Sequence, residues 1–245
     1  MIDAPARLAT LVEGRRTDAD RPVVVGIAGS VAAGKTTLAQ AMRVELEGRT
    51  VTTTVVGTDA FLYPNHVLAE RGLIARKGFP ESYDVATLLE FVEALRTGAA
   101  EVTIPVYSHE TYDIVDDGGI VVRPAAVDVV VIEGINTLGA LAHRLDLGVY
   151  IDAPEADLAR WYVARFHELC RQARDDPTSF YRIFETLDTE QVEAIALETW
   201  RNVNLVVLRE HVAPTRALAD VVVVKGHDHA VLELREDATP EAQGG

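Results

Sequence analysis

The chain has 245 residues, of which 48% are hydrophobic and 25% are charged, a composition typical of a soluble globular protein with a sizeable core. Its 23 lysine and arginine residues stand against 38 aspartate and glutamate residues, and the formal net charge is −15. Nucleic acids and anionic membranes require a basic surface, so this charge argues against both as principal partners. The single cysteine, Cys170, excludes an internal disulfide framework.

We expect a single domain located in the cytoplasm. The amino terminus carries charges throughout and contains no apolar segment of the signal-peptide type. No apolar run approaches the roughly 18 residues that a membrane-spanning helix requires. Residues 1–21 are expected to form an N-terminal segment with a short helix, residues 22–236 the domain, and residues 237–245 a disordered tail.

Five apolar runs rich in β-branched residues predict strands that are buried on both faces. They cover residues 23–28, 51–56, 127–132, 147–151 and 220–224. Stretches of helical periodicity separate several of these runs, and strands that alternate with helices form βαβ units and a mostly parallel sheet. The predicted fold class is therefore α/β, with helices on both faces of the sheet.

Three of the helical patterns carry recognisable start signals. Asp84 is a candidate N-cap for the first, Pro154 opens the second, and Asp188 with Gln191 forms a candidate capping box for the third. A polar segment with a proline, residues 175–178, separates the second helix from the third. We expect this break to lie at the tip of a small, mobile lid.

Residues 29–36 read Gly-Ser-Val-Ala-Ala-Gly-Lys-Thr and match the P-loop pattern. The backbone N–H groups of such a loop, and the N-terminus of the helix after it, point at phosphate oxygens. Lys35 supplies a positive charge for the phosphates, and the Thr36 hydroxyl is a ligand for Mg²⁺. Because the pattern follows a predicted strand and precedes helical periodicity, it predicts an NTPase-type fold that binds ATP and Mg²⁺. The predicted ATP-binding residues of the loop are Gly29, Ser30, Val31, Ala32, Ala33, Gly34, Lys35, Thr36 and Thr37.

A P-loop alone does not identify the class of nucleotide-binding protein. The sequence lacks the Asn-Lys-x-Asp run that gives GTPases their guanine specificity. Residues 116–119 read Asp-Asp-Gly-Gly and resemble a GTPase switch motif, but they do not follow a strongly apolar strand. We interpret them as a hairpin turn. The size of the chain favours a small-molecule kinase.

Two acidic residues follow predicted strands at the edge where such folds bind ligands. Asp59 comes after the run 51–56, and Glu133 ends the run 127–132. Either carboxylate can accept the proton of a substrate hydroxyl or hold Mg²⁺, and the alternative is that each caps the segment that follows. We favour Asp59 as the general base and Glu133 at the metal. Spacing alone leaves open which residue contacts the metal directly.

Several longer segments carry more information than the P-loop. They are residues 26–37, 58–65, 70–84, 105–109, 150–154, 161–166 and 214–216. Together they resemble the type I (bacterial, P-loop) pantothenate kinases, from about residue 22 to about residue 235. Residues 71–84 together with 105–109 are the most specific part, because uridine kinases and phosphoribulokinases do not share them.

This resemblance implies ATP-dependent phosphorylation of pantothenate to 4′-phosphopantothenate, the first step of coenzyme A biosynthesis. It implies that Lys35 and Thr36 hold the phosphates and Mg²⁺, and that Asp59 is the base on the substrate hydroxyl. It places five groups around pantothenate and the transferred phosphate: Tyr107, His109, Tyr162, Arg165 and Asn204. It also assigns nucleotide contacts to Lys225 and His229, and it implies a homodimer.

The residues support part of this site without the resemblance. Tyr162, Arg165, Phe166 and Leu169 share one helical face by their spacing. An arginine on that face can stabilise charge on the transferred phosphoryl group while aromatic rings cover a small organic substrate. We therefore take Lys35, Asp59 and Arg165 as the catalytic residues. The alternative is a core face with an arginine whose stem is buried.

Four further side chains have a structural alternative of similar weight. Asn204 stands among apolar residues in a helical pattern, where it is either a substrate contact or a satisfied core amide. Phe180, Tyr181 and Phe184 follow the predicted lid and are expected to roof the apolar part of the pocket. Ordinary core packing is the alternative for these rings.

The chain departs from the family pattern at residues that affect regulation and substrate choice. Gln40 and Leu169 stand where better-studied members have an arginine and a phenylalanine associated with inhibition by coenzyme A. An amide lacks the guanidinium charge that meets phosphates, so we expect weakened feedback. Ala60 and Tyr63 replace a glycine and a histidine near Asp59. The alternatives to pantothenate are another small alcohol, a nucleoside or a sugar, or a nucleotide-binding regulator without turnover.

Overall fold

The computed structural model describes residues 2–16 and 21–236. The helices are α1 (Ala4–Glu13), α2 (Lys35–Gly48), α3 (Asn65–Glu70), α4 (Val85–Arg96), α5 (Thr137–Leu141), α6 (Glu155–Gln172), α7 (Thr189–Thr199) and α8 (Leu205–Val207). The strands are β1 (Val23–Gly29), β2 (Thr53–Gly57), β3 (Val102–Ser108), β4 (Asp113–Val122), β5 (Val129–Glu133), β6 (Leu147–Asp152), β7 (Val221–Lys225) and β8 (Val231–Glu236). The tail expected at 237–245 lies outside the described residues.

The described strands form a central sheet in the order β2-β5-β1-β6-β7-β8. All pairs are parallel except β7 with β8, which is antiparallel. Every residue of β1 is buried, as expected for a strand that is covered by helices on both faces. The predicted fold class is therefore confirmed.

The two faces of the sheet bury different helices. Side chains alternate along a strand, so Val25 of β1 joins one apolar cluster while Val24 joins the other. The first cluster includes Met42 of α2, and the second includes Phe91 of α4. The N-terminal helix that we expected is α1, whose buried Leu8 belongs to the first cluster.

Local sequence signals account for the helix starts. The Asp84 carboxylate accepts a hydrogen bond from the Thr87 backbone N–H at 3.1 Å and caps α4. Asp188 and Gln191 form a complete capping box at the start of α7. Helical backbone continues beyond α7 through two π-helical turns, at Trp200–Asn204 and Leu208–Val212, which flank α8. Within the described parts of the chain, no helix is both long and apolar enough to cross a membrane.

The interpretation of residues 116–119 as a hairpin turn is wrong. They lie inside β4, which pairs with β3 in a separate two-stranded sheet. The register shifts there, between Ile104 and Val106 of β3, and a bulge of this kind accommodates extra residues in one strand. Gly119 permits it, since its φ is +77° and a Cβ would lie 2.6 Å from the Ile104 carbonyl oxygen. The turn of this hairpin comes earlier, at residues 109–112.

Candidate active site

The P-loop joins β1 to α2 and has the curled backbone that anion binding requires. Ala32 and Gly34 adopt positive φ angles of 61° and 85°, which turns the backbone so that α2 begins at Lys35. The N-terminus of this 14-residue helix therefore opens onto the loop, where its partial positive charge favours a phosphate.

Two lysines bond to backbone carbonyl oxygens of the loop, Lys35 from the start of α2 and Lys225 from the end of β7. The Lys35 Nζ donates to the Ser30 carbonyl oxygen at 2.9 Å, and the Lys225 Nζ donates to the Ala33 carbonyl oxygen at 2.8 Å. Burial lowers the pKa of Lys35, although the charges of Glu133 and Asp59 oppose this shift. Burial, together with the charge of Lys35, also lowers the pKa of Lys225. Because both ammonium groups bond to the same loop, their positive charges favour a polyanion there.

Thr36 and Glu133 are joined where the P-loop meets the end of β5. The Thr36 Oγ1 donates to the Glu133 Oε1 at 2.7 Å. Parallel pairing sets Glu133 opposite Ile27 of β1 on one side and opposite Gly57 of β2 on the other. A hydroxyl and one carboxylate fit Mg²⁺, which takes hard oxygen ligands and completes its shell with water and substrate phosphates. The described residues contain no cluster of three or more acidic, histidine or cysteine side chains that would hold a metal alone.

Asp59 lies beside this pair in a short 3₁₀ turn, Thr58–Phe61, that directly follows β2. Its Oδ1 accepts a hydrogen bond from the Tyr83 hydroxyl at 3.2 Å. Lys35, Thr36, Asp59 and Glu133 all line one cavity of about 350 Å³. The structure thus brings the predicted triphosphate site and both predicted acidic residues to the same edge of the sheet.

Most of the residues predicted for the acceptor also line this cavity. They are Tyr107 and His109 of the β3–β4 hairpin, Tyr162, Arg165 and Phe166 of α6, Tyr181 of the predicted lid, and Asn204 of the first π turn. The rings of Tyr107 and His109 are in an edge-to-face arrangement, with their centroids 5.1 Å apart. The Asn204 Nδ2 is buried and has no hydrogen-bond partner among the described residues, so a ligand atom is a natural acceptor for it.

Four predicted site residues do not belong to the wall of the cavity as the described residues define it: Phe180, Phe184, Lys225 and His229. Lys225 nevertheless lies at the P-loop, as its bond to the Ala33 carbonyl oxygen shows. The ring of Phe180 stacks on Tyr112 with the ring centroids 4.9 Å apart, and the centroids of Phe184 and Phe166 are 5.4 Å apart. Both rings therefore pack against residues of the cavity wall. Of the three rings predicted to roof the pocket, Tyr181 alone belongs to the described wall. His229 stacks on Trp161 at 3.7 Å.

The cavity residues that sequence reasoning missed include Lys77, Tyr83 and Tyr112. The Lys77 Nζ donates to the Asn65 Oδ1 at 2.7 Å and lies 4.2 Å from the centre of the Tyr112 ring. Burial lowers the pKa of Lys77 to about 8, against the opposing charges of Asp113 and Asp59. Lys77 and Tyr112 lie in turns and Tyr83 in an isolated bridge, so no periodicity marks them. The only signal for them was their position in or near the segments that resemble the kinase family.

Comparisons with known proteins agree with this geometry. The chain matches the model of the phosphoribulokinase/uridine kinase family over residues 24–162. It is 45% identical over 221 residues to a pantothenate kinase of Sorangium cellulosum (86% of this chain, 71% of the relative). It is 47% identical over 225 residues to one of Cutibacterium acnes (86% and 68%). A solved D-glycerate 3-kinase of Cryptococcus neoformans shares the fold, with a TM-score of 0.65 at 13% identity over 96% of this chain and 100% of that one. The chain therefore belongs to the phosphoribulokinase/uridine kinase family and, within it, to the type I pantothenate kinases.

Proposed function

We propose that this chain transfers the γ-phosphoryl group of ATP to the primary hydroxyl of pantothenate and produces 4′-phosphopantothenate, the first step of coenzyme A biosynthesis. The observation that carries this proposal is a single cavity that contains a P-loop, a carboxylate and an aromatic, polar wall. The pantothenate kinases that are 45% and 47% identical to the chain support the choice of acceptor.

The triphosphate binds at the P-loop. Backbone N–H groups of the loop and the N-terminus of α2 receive the phosphates, and Lys35 exchanges its bond to the Ser30 carbonyl for phosphate oxygens. Thr36 and Glu133 would hold Mg²⁺. When bound, Mg²⁺ neutralises charge on the β- and γ-phosphates. Lys225 braces the loop through the Ala33 carbonyl and adds positive charge behind it.

Phosphoryl transfer then needs a base and a positive charge at the γ-phosphate. Asp59 accepts the proton of the substrate hydroxyl while the hydroxyl oxygen bonds to the γ-phosphorus. The bond between the γ-phosphorus and the oxygen that bridges to the β-phosphate breaks, and ADP leaves. Arg165 is exposed to the cavity and meets the charge that develops on the transferred group.

The acceptor end of the cavity suits pantothenate, which carries a carboxylate, an amide and a dimethyl group. The rings of Tyr162 and Phe166 offer an apolar surface, and the unpaired Asn204 Nδ2 offers a donor. For the carboxylate, His109 supplies a hydrogen bond and Lys77 supplies positive charge. Tyr181 closes this end as part of the lid.

Three further properties are part of the proposal. We infer that the protein is cytoplasmic, that it is a homodimer, and that it engages neither nucleic acid nor membrane. The net charge of −15 supports the absence of nucleic-acid and membrane partners. Light scattering coupled to size-exclusion chromatography measures the oligomeric state directly.

The test is a coupled assay of ADP release with pantothenate, uridine, ribulose 5-phosphate and no acceptor, with ATP and then GTP as donor. We expect ATP with pantothenate to give the highest rate, and mass spectrometry to show one added phosphoryl group on pantothenate. A higher rate with uridine or ribulose 5-phosphate would move the assignment to another alcohol. Equal rates with and without acceptors would support a nucleotide-binding regulator instead.

A further inference from the structure

Tyr83 is a buried residue next to the proposed base, Asp59. The roles proposed above for nucleotide and pantothenate binding do not include it. Its exposed fraction is 5%, and its hydroxyl donates to the Asp59 Oδ1 at 3.2 Å. Burial and the negative charge of Asp59 raise the pKa of Tyr83 well above its ordinary value. The hydroxyl therefore keeps its proton and remains a hydrogen-bond donor to the carboxylate throughout the working pH range.

The backbone fixes this tyrosine relative to the base. Residues 61–63, which follow Asp59 after Ala60, lie antiparallel to residues 82–84. Leu62 and Tyr83 face each other in this bridge, and two main-chain hydrogen bonds of 2.9 and 2.7 Å flank it. The flanking bonds run from the Tyr63 N–H to the Ser82 carbonyl oxygen and from the Asp84 N–H to the Phe61 carbonyl oxygen. This pairing places Tyr83 next to the turn that carries Asp59.

The contact leaves one carboxylate oxygen for chemistry. Among the described residues, Tyr83 is the only hydrogen-bond donor to the Asp59 side chain, and it engages Oδ1. Oδ2 accepts no hydrogen bond from the described part of the chain. A carboxylate at the edge of a cavity loses reactive geometry when it rotates, and small misplacements of a reacting group cost large factors in rate.

We propose that Tyr83 is a positioning residue for phosphoryl transfer: its hydroxyl holds Asp59 by Oδ1 and presents Oδ2 to the substrate hydroxyl. This inference deepens the proposed function, because it rests on Asp59 as the base. The bond from a hydroxyl to a carboxylate is charge-assisted and stronger than a neutral one. Loss of this bond should lower kcat and leave the KM values nearly unchanged, since the Tyr83 hydroxyl bonds to Asp59 and not to a substrate.

The test compares Tyr83→Phe with a matched control, Tyr150→Phe. Tyr150 is a buried tyrosine of β6, with an exposed fraction of 3%, and it does not line the described cavity. Active sites are counted by ATP binding so that misfolded protein does not lower the apparent kcat. We expect Tyr83→Phe to lower kcat by roughly tenfold or more, the size of a lost hydrogen bond to a charged group. The KM values for ATP and pantothenate stay within about twofold, and Tyr150→Phe leaves kcat within about twofold.

A second measurement separates positioning from general weakening of the fold. In an Asp59→Asn background, adding Tyr83→Phe should not lower the residual rate further, because the group that it positions is already gone. A kcat of Tyr83→Phe within about twofold of wild type would overturn the inference. So would a raised KM for pantothenate with unchanged kcat, which would make Tyr83 a substrate contact.

Failure of the inference is distinguishable from failure of the proposed function. If the wild-type chain does not phosphorylate pantothenate, the proposed function is wrong. If wild type turns over, Asp59→Asn is strongly slowed, and Tyr83→Phe behaves as wild type, only the positioning role is wrong.

Discussion

The Thr36 Oγ1 and the Glu133 Oε1 form a hydrogen bond of 2.7 Å that joins the P-loop to the end of β5. The contact follows from the parallel pairing of β1 with β5, which places Glu133 beside the strand that leads into the P-loop. A hydroxyl and a carboxylate held together in this way would supply one half of the proposed Mg²⁺ site, and the nucleotide phosphates would supply the other half.

The variant Glu133→Gln tests this relationship. An amide oxygen can still accept the Thr36 hydrogen bond, but the negative charge that attracts Mg²⁺ is gone. We expect the Mg²⁺ concentration for half-maximal rate to rise by about tenfold, as for the loss of a group that orients a metal ligand. A Mg²⁺ titration at fixed ATP measures this. Glu101→Gln, at an exposed ion pair with Arg123, is the control, and an unchanged Mg²⁺ requirement in Glu133→Gln would contradict the assignment.

Lys77 predicts a pH dependence of pantothenate binding. Because burial lowers its pKa to about 8, the ammonium group loses its charge as the pH rises through that value, while the pantothenate carboxylate stays ionised. The KM for pantothenate should therefore rise between about pH 7 and pH 9, with little change in the KM for ATP. Lys77→Arg keeps the charge over this range and should flatten the profile. Parallel profiles for wild type and Lys77→Arg would show that Lys77 does not bind the carboxylate.

Gln40 and Leu169 predict weak inhibition by coenzyme A. Gln40 is an exposed residue of α2 whose side-chain oxygen accepts from the Arg43 Nε at 2.9 Å, and Leu169 lines the cavity. Gln40 lacks the guanidinium that an arginine at this position offers to phosphates, and Leu169 lacks the aromatic ring of a phenylalanine. Turnover measured against coenzyme A should show weak inhibition in wild type and stronger inhibition in Gln40→Arg. Competitive inhibition of wild type by submicromolar coenzyme A would contradict this prediction.

The sequence predicted the central sheet well because its strands are buried on both faces. Runs such as 23–28 and 147–151 are apolar throughout, which is a strong signal, and both became strands at nearly those bounds. The β3–β4 hairpin gave no such signal. Pro105 interrupts the pattern of β3, and most residues of that strand are half-buried, so there is only weak alternation to detect.

The site was predictable where a motif or a helical period fixed the geometry. The P-loop and the α6 face with Tyr162, Arg165 and Phe166 are of this kind. Tyr83 was missed because its contact with Asp59 depends on a bridge between two irregular segments, residues 61–63 and 82–84, that are separated in sequence. The sequence did not separate Tyr181, which lines the cavity, from Phe180, because the spacing of aromatic residues in a 3₁₀ turn does not reveal which ring faces the cavity.

The most direct test of the account is single-turnover phosphoryl transfer by Asp59→Asn, with ATP affinity measured on the same preparation. Asparagine keeps the shape of the side chain but cannot take the proton of the substrate hydroxyl. We predict that transfer to pantothenate slows by a factor on the order of 10³, in the range of general base catalysis, while the Kd for ATP changes by less than about threefold because the P-loop is intact. Transfer at a rate near that of wild type would contradict the central claim that Asp59 is the base.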